Sequence, residues 1–105
     1  MAYKDFGKDS RNSSFSEDTV EAVWKKGVYV PGVDPSVRQK DTCGAYIERQ
    51  KYGDTTQNGT RWEIDHIRPV SKGGSDDLSN LQPLQWENNR AKGDNLPGQW
   101  KCART

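Results

Sequence analysis

The sequence predicts a small α+β domain, and three observations carry that prediction. A stretch near the start places Val20, Val23 and Trp24 on one face of a helix. Residues 44–51 and 61–67 alternate in the manner of half-buried strands. A last helical stretch, Leu84 to Lys92, stops at Gly93. At 105 residues the chain has the length of one domain. Its Leu, Ile, Val and Phe number only 16, a share that signals disorder when net charge is high. Here 16 Lys and Arg oppose 15 Asp and Glu, and four Trp and four Tyr add large rings to bury. The expected core is therefore small and aromatic-rich, the kind that gains from an extra staple.

Taken in order, residues 1–15 are rich in Lys, Asp, Ser and Asn without periodicity, which predicts a flexible N-terminal arm before a single domain over 16–105. Ser14 and Glu17 have capping-box spacing, and Gly27 stops the helix. Val28 to Asp41, with Pro31-Gly32 and Asp34-Pro35, reads as turns leading to a sheet. The polar run from Tyr52 to Thr60 joins the two alternating segments as a long hairpin, with Trp62, Ile64 and His66 on one face. Arg68 to Asn80 is a loop in which Gly73-Gly74 makes a tight turn and Ser75 caps a short turn at Asp76 and Asp77. Pro83 then sits near the first position of the second helix. The expected order is helix, hairpin, structured loop, helix. Trp24, Trp62 and Trp86 are expected in the core, and Trp100, in the polar tail, is the one free to touch a ligand.

Several classes are disfavoured. Cys43 and Cys102 stand 59 positions apart, neither with a second Cys at metal-ligand spacing. Neither a zinc knuckle nor a secreted disulfide framework follows, so a reduced, cytoplasmic chain is expected. The start lacks an apolar signal region, and no apolar run approaches the roughly 18 residues of a membrane span, so no membrane partner is expected. Residues 1–52 carry nine basic and eight acidic side chains and residues 53–105 carry seven of each, so affinity for nucleic acid has to come from local placement.

His66 is the sole histidine, and Asp65 precedes it directly. Neighbours on a strand point to opposite faces, so the carboxylate can hold a cation while the imidazole addresses a water from another direction. These residues begin a longer pattern: Asp65-His66-Ile67-x-Pro69-x-Ser71-x-Gly73-Gly74, then Asn80-Leu81-x-Pro83-Leu84, then Asn89-Arg90-x-Lys92. The pattern resembles the HNH endonuclease family over residues 62–94, with 14 positions from His66 to Asn80 and nine more to Asn89. Residues 17–61 more softly resemble small stand-alone bacterial or phage HNH proteins, through Val23-Trp24, Asp41-x-Cys43-Gly44-Ala45 and Tyr52-Gly53.

The resemblance implies a ββα-metal fold, here with an additional N-terminal helix. It implies His66 as general base, Asp65 and Asn89 as holders of one divalent cation, and Asn80 as the residue that ties down the loop and so orients the imidazole. Cleavage would leave 5′-phosphate and 3′-hydroxyl ends. Asn89 stands where many members have His, which makes an all-oxygen cation site suited to Mg²⁺ or Mn²⁺. Where many members bind a structural zinc through four Cys, this chain has Cys43, Tyr46, Gln85 and Asn88, so no structural zinc is expected, and Tyr46 and Trp86 are expected to fill the space. Arg68, Lys72, Arg90 and Lys92 are expected to face nucleic acid, and Glu63 shares the face of Asp65 as accessory acid or salt-bridge partner. The implied substrate is DNA, double-stranded by expectation. Sequence specificity would be low, because no helix-turn-helix, zinc finger or basic arm is visible, and a homodimer or a partner protein would have to supply it. The alternatives are a nucleic-acid-binding module that does not cut, and the same nuclease used as a toxin or defence effector.

Overall fold

The first helix, α1 (Glu17–Trp24), is capped by Ser16, whose hydroxyl oxygen accepts from the Thr19 amide at 3.2 Å. The cap therefore lies two residues later than the Ser14 expected from capping-box spacing, with Glu17 and Asp18 at the positive end of the helix dipole. These assignments come from a computed structural model, which describes residues 6–56 and 58–105. Just past the helix, a Cβ on Gly27 would lie 2.7 Å from the Gln39 side-chain amide, so a larger residue there would have to push that side chain aside. The same amide donates to the Trp24 carbonyl at 2.7 Å and ties the helix end to the next strand.

That strand, β1 (Arg38–Lys40), pairs antiparallel with β2 (Tyr46–Glu48), Gln39 opposite Ile47. A second antiparallel pair joins β3 (Trp62–His66) to β4 (Leu81–Gln85), with Ile64 opposite Pro83 and His66 opposite Leu81. The second helix, α2 (Trp86–Lys92), follows directly. The structure thus holds two hairpins where the sequence predicted one. The 44–51 segment pairs backwards with 38–40 and ends in a 3₁₀ turn at Arg49–Lys51, rather than pairing with 61–67. Arg-Gln-Lys carries no apolar alternation, so its strand character comes only from its partner. Leu81–Gln85 is strand, so Pro83 to Gln85, read as the start of the second helix, belong to the sheet instead, and a two-stranded sheet is all edge, where Pro83 is tolerated. Gln85 then caps α2 by accepting from the Glu87 and Asn88 amides.

The core is Val20, Val23, Trp24, Ile47, Trp62, Ile64 and Leu81, with Phe15 and Tyr52 packed against it. Trp62 is its centre, its ring centroid 5.2 Å from Trp24 and 4.8 Å from Tyr52. Trp86 departs from expectation: it is half-buried, with the Arg61 guanidinium 5.0 Å over its ring. Tyr46 is exposed and fills nothing.

The space expected for Tyr46 and Trp86 is organised instead by the buried Asp41 carboxylate. One of its oxygens accepts from the Cys43 and Ala45 amides, and the other from the Gln85 amide and the Asn88 side chain. Asn88 also binds the C-terminal tail, accepting from the Ala103 and Arg104 amides at 2.8 and 2.7 Å. The tail so placed joins Cys102 to Cys43 in a disulfide, which corrects the expectation of reduced thiols. A separation of 59 residues hid the pair, because only the folded-back tail brings them together.

Residues 6–15, within the expected flexible arm, are pinned at several points. Asp9 accepts from the Arg11 and Ser13 amides, Ser10 binds Asp76, and Phe15 packs on the core. Residues 1–5 of that arm lie outside the described residues. Among the described residues, no helix is long and apolar enough to cross a membrane.

Candidate active site

Strand β3 divides its side chains between two faces, as pleating requires. Trp62 and Ile64 enter the core, and His66 follows them with its ring centroid 5.9 Å from that of Phe15. Glu63 and Asp65 point the other way and meet α2 through charged pairs. All five residues are buried, an unusual setting for two acids and an imidazole.

Asp65 is 1% exposed. Gln82 donates to its Oδ2 at 3.0 Å, and the Lys92 ammonium lies 3.3 Å from its Oδ1. Lys92 is itself fully buried and donates to the His66 carbonyl at 2.8 Å. The expectation that Lys92 faces nucleic acid is thereby corrected: its place on α2 turns it toward β3, where it offsets the charge of Asp65.

Asn89 is also fully buried, and its Nδ2 donates to Glu63 Oε1 at 2.9 Å. Glu63 takes both arms of the Arg90 guanidinium as well, at 2.6 and 3.0 Å, and Arg90 stacks 3.8 Å over the Phe6 ring. Glu63 is thus the partner that orients Asn89 and Arg90. With its nitrogen committed to Glu63, Asn89 has its Oδ1 as the amide's acceptor atom.

Asn80 closes the loop after β3. It accepts from the Arg68 amide at 2.8 Å and donates to the Arg68 and Ser75 carbonyls at 3.1 and 2.8 Å. Gly74 lies so close beneath that a Cβ there would fall 1.7 Å from the Arg68 carbonyl oxygen. Arg68 and Lys72 are exposed on this loop, the Arg68 Nε donating to the Lys72 carbonyl and the Lys72 ammonium to that of Asp94.

The His66 Nε2 lies 2.8 Å from Asp76 Oδ1. Asp76 in turn accepts from the Ser10 amide at 3.0 Å and the Ser10 hydroxyl at 2.6 Å. Burial pushes the Asp76 carboxyl up, but the bonds from Ser10 and His66 outweigh it and hold that group below the usual carboxylate range. In the sequence Asp76 is visible only as a turn residue, and its contact with His66 needs the loop to fold back over ten positions.

The donor chemistry suits a hard cation, since Asp65 and Asn89 offer a carboxylate and an amide oxygen. Among the described residues, however, no group of three or more His, Cys, Asp or Glu converges on one point. A cation here would have to compete with the Lys92 ammonium for Asp65 and complete its shell with water and phosphate oxygens. Beside these residues, a cleft of about 310 Å³ is lined by Gln82, Lys92, Ile67, Thr42, Trp100 and the disulfide, so Trp100 does border open space.

A family model described as HNH endonuclease matches residues 42–95, just over half of the chain. That span runs from the Asp41 turn through β3, the Asn80 loop and β4 to the end of α2. No curated protein and no solved structure matches the chain.

Proposed function

The chain belongs to the HNH endonuclease family, with β3, β4 and α2 as its ββα unit and α1 added before it, and on that premise we propose a metal-dependent endonuclease that hydrolyses DNA phosphodiester bonds. The observation that carries the reading is the end of β3, where Asp65 and His66 sit on opposite faces above a loop that Asn80 holds by three hydrogen bonds.

The imidazole of His66 takes a proton from water, and the water oxygen forms a bond to phosphorus as the bond from phosphorus to the 3′ oxygen breaks. The 3′ oxygen then takes a proton from solvent, leaving 5′-phosphate and 3′-hydroxyl ends. A divalent cation held by Asp65 and Asn89, Mg²⁺ or Mn²⁺ by preference, would supply Lewis-acid stabilisation of charge on the phosphate and the leaving oxygen. Asn80 holds the loop and with it the end of the strand that carries His66. Arg68 and Lys72, exposed on the loop, and the outer part of Arg90 contact the phosphate backbone, a mode of binding that carries little sequence information. Double-stranded DNA is the proposed substrate, with a homodimer or partner protein providing specificity.

A second reading, a nucleic-acid-binding module that does not cut, draws on the Lys92 ammonium beside Asp65, which occupies the acid with a built-in cation. Supercoiled plasmid incubated with the parent and with His66→Ala across divalent cations separates the two. The nuclease reading expects nicked or linear DNA with Mg²⁺ or Mn²⁺, and a loss of about 10²–10⁴ in rate on removal of the imidazole. No cutting by the parent with any cation would refute it in favour of the second.

A further inference from the structure

A general base needs one ring nitrogen bare and aimed at water, and the other nitrogen's partner decides which one that is. His66 has such a partner in Asp76, 2.8 Å from Nε2. An ionised carboxylate accepts hydrogen bonds and donates none. Its presence therefore places the proton on Nε2 and the lone pair on Nδ1. We infer that Asp76, braced by Ser10, is the positioning residue that sets the tautomer of His66 and makes Nδ1 the atom that accepts the proton from water. The inference rests on the nuclease reading and deepens it.

The bracing is what separates this pair from a chance contact on a loop. Both Asp76 oxygens are held: the Ser10 hydroxyl donates to Oδ2 at 2.6 Å and the Ser10 amide to Oδ1 at 3.0 Å. Oδ1 therefore faces Nε2 with its direction already determined by the other two bonds. Ser10 lies 66 positions before Asp76, so the N-terminal segment contributes a residue to the site from outside the matched span of 42–95. The ring is confined on a second side by Phe15 from the same segment, and the His66 side chain is 9% exposed. The backbone carbonyl of His66 is held separately by Lys92, while Asp76 and Phe15 meet the ring itself. Partners that orient metal-bound histidines are worth about 10- to 100-fold in activity, and the same order is expected for this one.

The test uses the full chain with Asp76→Ala, Ser10→Ala and Asp76→Glu, and reads three quantities: plasmid cleavage separated into kcat and KM, the melting temperature, and the tautomer of the imidazole. Because the chain has one histidine, a long-range ¹H–¹⁵N spectrum of the neutral ring shows a single spin system and identifies the protonated nitrogen. The parent is expected to show Nε2–H. Asp76→Ala is expected to mix the tautomers and lower kcat by about 10- to 100-fold with KM unchanged. Ser10→Ala should move both readouts the same way by less, and Asp76→Glu should restore part of each. A folded Asp76→Ala that keeps Nε2–H, or that keeps the parent's kcat, overturns the inference. Should Asp76→Ala not fold, Ser10→Ala decides, and a parental tautomer and kcat in that variant overturn it equally. A parent that cuts no DNA removes the nuclease reading and the catalytic half of this proposal with it, whereas a cutting parent matched by Asp76→Ala removes only the positioning role.

Discussion

Breaking the Cys43–Cys102 disulfide should cost this domain a large part of its stability. The bridge closes a loop of 59 residues' separation, and for a loop of that size the chain-entropy estimate is about 4 kcal/mol. For a domain of this length, about 4–5 °C of melting temperature corresponds to each kcal/mol, so the expected loss is roughly 15–20 °C. The small core makes such a loss conspicuous, since a few kcal/mol is a large share of a typical domain's total stability. Thermal melts of the oxidised parent, the reduced parent and Cys102→Ser provide the assay, with Cys43→Ser as a check that either sulfur suffices. The tail should remain partly docked in each, because Asn88 still binds the backbone of Ala103 and Arg104. Cleavage per folded molecule at low temperature should accordingly persist, since Asn89 stays bonded to Glu63. Melting curves that coincide for the oxidised parent, the reduced parent and both serine variants would refute the reasoning and remove the disulfide as the staple of the small core.

Three further outcomes are expected. Asn89→His should move the cation that best supports plasmid cleavage from Mg²⁺ or Mn²⁺ toward Ni²⁺ or Zn²⁺, because an imidazole replaces an amide oxygen; an unchanged metal profile would take Asn89 out of the coordination shell. Lys92→Ala should lower unfolding free energy by about 3–5 kcal/mol in urea titrations, because it leaves the buried Asp65 carboxylate without its cation. The lowered Asp76 carboxyl stabilises the docked N-terminal segment at every pH above the ordinary carboxylate range, and that contribution is lost only as pH falls through it, below about pH 4; the Ser10 amide resonance, followed from pH 7 to 3, should hold until then.

The sequence alone determined the family's residue pattern and its order along the chain. Asp65 beside His66, with Asn80 and Asn89 at given distances along the chain, is a local pattern, and local patterns survive without knowledge of the fold. The α1 face of Val20, Val23 and Trp24 and the strand at Trp62–His66 were equally legible, since their periodicity lies within one element. Tertiary structure decided what each acid and cation meets. Arg38–Lys40 became a strand because Tyr46–Glu48 turned back upon it, and Leu81–Gln85 became one because β3 offered it a partner. Lys92 turned inward to Asp65, Arg90 to Glu63, and the two cysteines met through a tail held by Asn88. Charged side chains and cysteines have no periodicity that foretells their partners. Their burial depends on a partner of opposite charge, or a second sulfur, that comes from any distance along the chain and is settled only when the elements pack.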